Sequence, residues 1–289
     1  MGKCEKWTIA YRKRIGDTTL LTNTEEPFKA IPNTWRYWSA DPFLFENQGK
    51  TYLFAELYDR LALRGVLGCC ELTGNGAGEW KIIIEEPFHL SYPYIFHHNN
   101  EIYMIPESFR SGKIILYKAL EFPYKWVKVH ELADMIAVDS TVFKNGDEMY
   151  MITLRIVDGK SELVLITLND TLTFIDHCVI SDKEDPHVRP AGNLFYVDNR
   201  IIRPAQDCSN GYGYALNFYD VDSIGAAGYS ESLITKILPE NIQVLGIHEP
   251  KGIHTYNFTD QYEVIDCKEY EFCLISKIAR VIRMFRKRG

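Results

Sequence analysis

Nine polar residues of this chain stand at matching places in a repeating pattern: Asp41, Glu56, Tyr92, Glu107, Asp139, Arg189, Arg203, Asp207 and His254. Each opens or closes a short apolar run, as Asp41 opens Pro42-Phe43-Leu44-Phe45 and Glu56 closes Tyr52-Leu53-Phe54-Ala55. Five carboxylic acids, two arginines and a histidine drawn into one concave site would shift each other's proton affinities. Such a site could transfer protons or hold a charged or hydroxyl-rich ligand.

The elements that would gather them are β-hairpins. Apolar runs separated by turn residues begin at 41, 92, 139, 189 and 254, in steps of 51, 47, 50 and 65, which is the size of a propeller blade. Two further strand-like segments follow each of the first three hairpins: 65–70 and 80–84, 113–117 and 126–129, then 163–167 and 172–174. Four strands per repeat, five times over, predict an all-β, five-bladed β-propeller. A sandwich would also use many short strands, but would not need a polar residue at the head of every repeat. Counting outward from each turn sets Asp41 opposite Glu56, Tyr92 opposite Glu107, Arg189 opposite Asp207 and His254 opposite Asp266. The first strand of each blade lines the axis, so these ends converge at one mouth.

Composition narrows the possibilities. With 46% hydrophobic and 13% aromatic residues, the chain can fill a large core. No apolar run reaches the roughly 18 residues that span a bilayer, and no leader-like segment opens the chain. The seven cysteines form no CxxC pair, which suggests reduced thiols and a cytoplasmic protein. No metal or nucleotide motif is present, so the cofactor stays unassigned, with a calcium ion on the axis left open. The segment after Glu271 carries six basic residues and no acid, leaving −13 for the rest of a chain whose net charge is −7. An acidic body argues against nucleic acid as partner. In that tail Leu274, Ile275, Ile278, Val281, Ile282 and Phe285 fall on one helical face. The expected domains are therefore a propeller over 1–270 and a basic amphipathic helix over 271–289. Lys277, Arg280, Arg283 and Arg286 would touch an anionic inner-membrane surface.

The runs Ser39-Ala40-Asp41-Pro42-Phe43-Leu44-Phe45, Ser91-Tyr92-Pro93, Met104-Ile105-Pro106-Glu107, Arg189-Pro190-Ala191-Gly192 and Arg203-Pro204-Ala205-Gln206-Asp207 resemble one family. It is the N-terminal propeller domain of plant glucosamine inositolphosphorylceramide transferases and its bacterial relatives, similar here over about 35–267. In the plant proteins a glycosyltransferase domain follows. More distantly, the segment around Asp41 resembles the first blade of five-bladed glycosidases of families 43 and 32. That resemblance implies Asp41 as catalytic base or nucleophile and Asp139 as a tuning residue. Where those enzymes place a glutamate acid in the fourth blade, this chain has Arg189.

Three functions are compatible with these residues. In the first, Asp41 is base or nucleophile, Glu107 the acid and Asp139 a holder of a sugar hydroxyl. Glu56, Tyr92, Arg189, Arg203, Asp207 and His254 would bind the substrate, the arginines meeting a carboxylate or phosphate. In the second, the propeller is a non-catalytic glycan-binding or scaffolding module of surface-polysaccharide (capsule) or glycolipid biosynthesis. In the third it is a glycosyltransferase whose arginines hold the phosphates of a sugar nucleotide.

Overall fold

The computed structural model describes residues 3–22, 25–225 and 228–272. Among the described residues, twenty-three strands form five separate sheets arranged as five blades, antiparallel except where Phe28–Ala30 pairs in parallel with Val244–Leu245. Blade 1 comprises Tyr37–Asn47, Lys50–Asp59, Arg64–Thr73 and Lys81–Ile84. Blade 2 comprises Ser91–His98, Glu101–Glu107, Ile114–Glu121 and Lys125–Ala133, and blade 3 Ala137–Asn145, Glu148–Val157, Lys160–Leu168 and Phe174–Val179. Blade 4 has a broken inner strand, Arg189–Pro190 then Phe195–Val197, followed by Arg200–Asp207, Ala215–Gly225 and Gly228–Ile237. These are the hairpins and outer strands expected from the repeat.

Blade 5 is built from both ends of the chain. Its inner strands Tyr256–Phe258 and Tyr262–Phe272 come from the last repeat, while Lys3–Lys13 and Phe28–Ala30 complete it. Lys3–Lys13 pairs with Tyr262–Phe272 through eleven consecutive partners, Lys3 opposite Phe272 and Lys13 opposite Tyr262. This seam closes the ring and leaves no free inner edge. Apolar side chains of facing blades fill the space between them. Phe43, Phe54, Tyr94 and Met104, for instance, share one core between blades 1 and 2.

The inner strands share one irregularity. Pairing slips between Ala40 and Phe43, between Ser91 and Tyr94, and between Val138 and Thr141. The skipped residues Asp41, Tyr92 and Asp139 have φ of 51°, 44° and 54°. Left-handed backbone at a non-glycine residue costs about 1–3 kcal/mol, and a bulge is the usual means of re-aiming a side chain. Here it turns three polar side chains toward the axis. Pro42 and Pro93 follow two of the bulges, where a missing N–H costs no ladder bond.

Two expectations change. Among the described residues the only helical turns are Phe109–Ser111 and Pro239–Asn241. The expected boundary at 270/271 falls inside the strand Tyr262–Phe272, so Glu271 and Phe272 are β-structure rather than the start of a helix. The remainder of the proposed helix, with Lys277, Arg280, Arg283 and Arg286, lies outside the described residues. Cys4 is disulfide-bonded, contrary to the expectation of reduced thiols throughout, while Cys69, Cys70, Cys178, Cys208 and Cys267 are free.

Ring closure also depends on close backbone contact at Gly192, where φ is 139° and a Cβ would lie 2.0 Å from the Tyr256 carbonyl oxygen. Gly192→Ala should destabilise the protein by roughly 3 kcal/mol, as expected for forced overpacking. Gly146→Ala, at a left-handed turn with open space around it, should cost only about 1 kcal/mol. Equal midpoints for the two variants in urea unfolding would refute this account of the closure.

Candidate functional site in the axial pocket

The bulged strand ends surround a cavity of about 260 Å³ at one mouth of the axis. Asp41, Glu56, Glu107, Arg189 and His254 all line it, so five of the nine expected residues converge. Aromatic side chains form the walls. Trp38 stacks on Tyr58 with ring centroids 4.5 Å apart, and Trp7 stacks on His254 at 3.8 Å. Larger hollows of about 510 and 700 Å³ open on the outer surface, but no buried carboxyl group lines either.

Asp41 is held from two other blades, the second and the fifth. Its Oδ2 accepts the Tyr92 N–H at 3.1 Å, its Oδ1 accepts the Thr255 hydroxyl at 3.1 Å, and His254 Nε2 lies 3.5 Å from Oδ1. Burial pushes its carboxyl up to about 6, held back mainly by His254. Glu107 is pushed higher, to about 8, by burial and by the neighbouring Asp139, against the pull of Arg189. Glu56 is raised well above the usual carboxylate range by burial and by Asp41 and Glu107. Glu56 Oε1 has no hydrogen-bond partner. His89 Nδ1 accepts the Gly65 N–H at 2.9 Å, which leaves the proton on Nε2, 3.4 Å from Glu56 Oε1. That contact is too long for a good hydrogen bond. Burial lowers His89 to about 4, so it stays neutral.

Asp139 lies behind Arg189. Its Oδ2 accepts Arg189 Nε at 2.5 Å and Gln206 Nε2 at 2.8 Å, and Arg189 Nη2 reaches Glu107 at 3.3 Å. The guanidinium also lies over the Tyr212 ring, 5.0 Å from its centroid. Asp139 therefore anchors an arginine and is not in a position to hold a sugar hydroxyl.

Other expected binding residues are placed differently. Tyr92 is fully buried below the pocket, its hydroxyl 2.9 Å from Thr141 Oγ1 and accepting the Gly192 N–H at 2.7 Å. It joins blades 2, 3 and 4 and does not face a ligand. Arg203 grips Glu231 with two bonds of 2.7 and 2.6 Å and donates to the Val188 carbonyl, away from the cavity. Asp207 bonds Lys236 and the Ser209 N–H. The cause is a slip in the fourth hairpin. Arg189 pairs with Gln206 rather than Asp207, so Gln206 points to the axis and its neighbour points outward. His254 lines the pocket, but both ring nitrogens face carboxylates.

Several site residues carry no strong sequence signal. Trp7 comes from the closing strand, upstream of the first repeat, and Tyr212 from a glycine-rich loop. A Cβ on Gly213 would lie 2.5 Å from Trp7, so that loop can approach only with glycine there. Trp38 and Tyr58 are directly paired across the first hairpin beyond its bulge, where counting from the turn sets Trp38 opposite Asp59 instead. For a metal, Asp41, His254 and Asp266 bring ligand atoms within 4.8 Å of one another. The imidazole already lies between the two carboxylates and takes the place a cation would occupy. Calcium also prefers six or more oxygens, so a trio that offers one imidazole nitrogen and two carboxylates fits calcium poorly.

With the geometry established, kinship can be assessed. Residues 31–259 match the family described as "Glucosamine inositolphosphorylceramide transferase 1, N-terminal". The chain belongs to this family. Members from Oryza sativa subsp. indica and Arabidopsis thaliana, both named glucosamine inositolphosphorylceramide transferase 1, are 29% identical over 242 and 203 residues. The matches cover 80% and 66% of this chain but 31% and 26% of those proteins, so the chain spans about a third of their length or less. Among solved structures, the catalytic domain of a Coprinopsis cinerea GH62 α-L-arabinofuranosidase aligns with TM-score 0.59 and 12% identity over 86% of this chain and 83% of that one. An α-L-arabinofuranosidase from Podospora anserina aligns with TM-score 0.57 and 11% identity over 76% of each chain. At such identities these likenesses establish the propeller fold alone.

Ionisation of the acids in this pocket has a measurable cost. Glu107 and Glu56 bind protons more tightly folded than unfolded. Their contribution to stability is thus full below the unfolded value near 4.3 and is lost as pH rises toward about 8 for Glu107. The melting temperature should fall between pH 5 and 8, and less steeply in Glu107→Gln. Parallel curves for wild type and variant in calorimetry would show that Glu107 is not a buried acid.

Proposed function

We propose that the axial pocket binds one sugar unit of a glycan, glycolipid or activated sugar and acts on its glycosidic bond. The observation carrying this reading is the contrast between two carboxyl groups in one cavity, Glu107 raised to about 8 and Asp41 only to about 6. At neutral pH the first retains a proton and the second is largely ionised, the division of labour that glycosyl chemistry needs. Glu107 would give its proton to the leaving oxygen as the bond to the anomeric carbon breaks. Asp41, as base, would take a proton from the attacking water or acceptor hydroxyl. Stacked Trp38 and Tyr58 offer flat apolar surface for a sugar ring. The names of the plant transferases and of the arabinofuranosidase neighbours are consistent with a carbohydrate ligand.

A second reading, a non-catalytic glycan-binding module of the same pathway, is favoured by one observation. Both oxygens of Asp41, and Oδ2 of Asp139 twice over, already accept internal donors. A sugar nucleotide has less support, because Arg203 is committed to Glu231 and Arg189 to Asp139 and Glu107.

Oligosaccharide and glycolipid panels, screened by calorimetry for binding and by mass spectrometry for products, test the proposal. Asp41→Asn and Glu107→Gln should each lower turnover by about 10²–10⁴-fold, the usual worth of a general acid or base, while ligand still binds. Binding without any product from wild type would leave the module reading in its place. A cytoplasmic location at the inner membrane face, in surface-polysaccharide or glycolipid assembly, is part of the proposal through the basic residues Lys277, Arg280, Arg283 and Arg286. Removing 274–289 should weaken sedimentation with phosphatidylserine vesicles by at least tenfold, each basic residue near such a surface adding about 1 kcal/mol. Unchanged sedimentation counts against that location.

A further inference from the structure

His254 and Asp266 form a buried pair whose role the glycosyl reading does not use. Asp266 Oδ2 accepts His254 Nδ1 at 2.7 Å and the backbone N–H of Asp41 at 2.9 Å. Its Oδ1 accepts the backbone N–H groups of His254 and Thr255, each at 3.0 Å. The far ring nitrogen, Nε2, points to Asp41 Oδ1 at 3.5 Å. Asp266 has no exposure and His254 only 1%. Trp7 covers the imidazole face, with ring planes 13° apart, and Tyr212 meets it edge-on with centroids 5.2 Å apart. The ring can neither turn nor reach water freely. An imidazole between two carboxylates makes a hydrogen bond to each only when both nitrogens carry hydrogen.

We infer that His254 and Asp266 are positioning residues, a fixed imidazolium and its anchor, which keep Asp41 ionised and aimed into the pocket. The inference rests on the reading of Asp41 as the working carboxylate. It requires no direct contact between His254 and ligand, which revises the expectation of His254 as a binding residue. The charged and titratable groups around the pair are accounted for. Asp266, Asp41 and Asp139 act on His254 in favour of its charge and against burial, with a net upward shift. Asp139, Asp266, Glu56 and Glu107 surround Asp41. Arg189 is spent on Asp139 and Glu107, and Lys268 lies on Trp7, 5.6 Å from its ring centroid. His254 is thus the one cationic group in direct contact with Asp41 among the ion pairs of the described residues.

Two measurements on the full-length protein test this without a ligand. Nitrogen-15 spectra of ring-labelled histidine should show His254 protonated at both nitrogens at pH 7.5. A single neutral tautomer at pH 7 would overturn the inference, and wild-type protein suffices for this experiment. The carbon-13 signal of the Asp41 carboxyl, recognised by its loss in Asp41→Asn, should titrate at least about one pH unit higher in His254→Gln, since a contacting opposite charge shifts a carboxylate by one unit or more. Asp266→Asn should lower the pH at which His254 gives up its second ring proton, since Asp266 favours the charged ring. A midpoint that stays within about 0.3 unit of wild type in a folded His254→Gln protein would refute the idea. Both readouts are independent of glycan binding, so failure of the glycosyl reading and failure of this one can be told apart.

Discussion

The carboxylate of Asp266 is the point on which closure of the ring and construction of the site both depend. It accepts four N–H groups, from the Asp41, His254 and Thr255 backbones and from the His254 ring. Three belong to the last repeat and one to the first, so a single buried anion joins the two ends of the propeller. The chain of contacts continues around the axis. Asp41 accepts from the backbone of Tyr92 in blade 2, whose hydroxyl meets Thr141 in blade 3 and Gly192 in blade 4. Each left-handed residue is thus secured by its neighbour across a blade boundary. Strain of this kind persists only where surrounding structure over-determines it.

A second consequence concerns charge. Taking a carboxylate out of water costs several kcal/mol unless it is paired or well hydrogen-bonded. The axial acids divide according to whether they find such partners. Asp266 has its four donors and Asp139 has Arg189 and Gln206. Asp41 has two donors, with the His254 ring 3.5 Å away, and its carboxyl is raised to about 6. Glu107 shares Arg189 at longer range, and Glu56 has only a neutral histidine beyond good bonding distance. These two move furthest toward the protonated form. The order of proton affinities follows from which bulge or strand end supplies a donor, and no metal is needed to produce it.

Much of this was legible in the repeat. Apolar runs, turns and spacing specify the number of blades and nearly every strand in the first three. The polar strand ends identify the mouth, and five of nine chosen residues line the cavity. What hairpin counting could not show is the bulge. Phe43 and Phe54 obey the expected count, but beyond the slip Glu56 faces Ala40 rather than Asp41, and Glu107 faces Ser91 rather than Tyr92. A one-residue slip exchanges the two faces of a strand. It therefore sends Tyr92 inward as a structural post and, in blade 4, exchanges Asp207 for Gln206. Trp7 and Tyr212 were hidden for a different reason. Their places depend on long-range closure of the ring and on a glycine loop, and neither leaves a periodic trace.

Arg189 is a largely buried cation among the axial acids, and its surroundings explain why it is tolerated. A buried guanidinium needs carboxylate partners in its plane. It finds Asp139 in blade 3 and Glu107 in blade 2 while stacking on Tyr212. At this position the arginine binds the blade 2 glutamate, fixing its carboxyl at the cavity wall. Without Arg189, Glu107 would be held still more strongly in its neutral form, because Arg189 opposes the rise. The arginine therefore tunes the Glu107 carboxyl as well as orienting it, on a blade joined to that of Asp41 through the bond from the Tyr92 N–H.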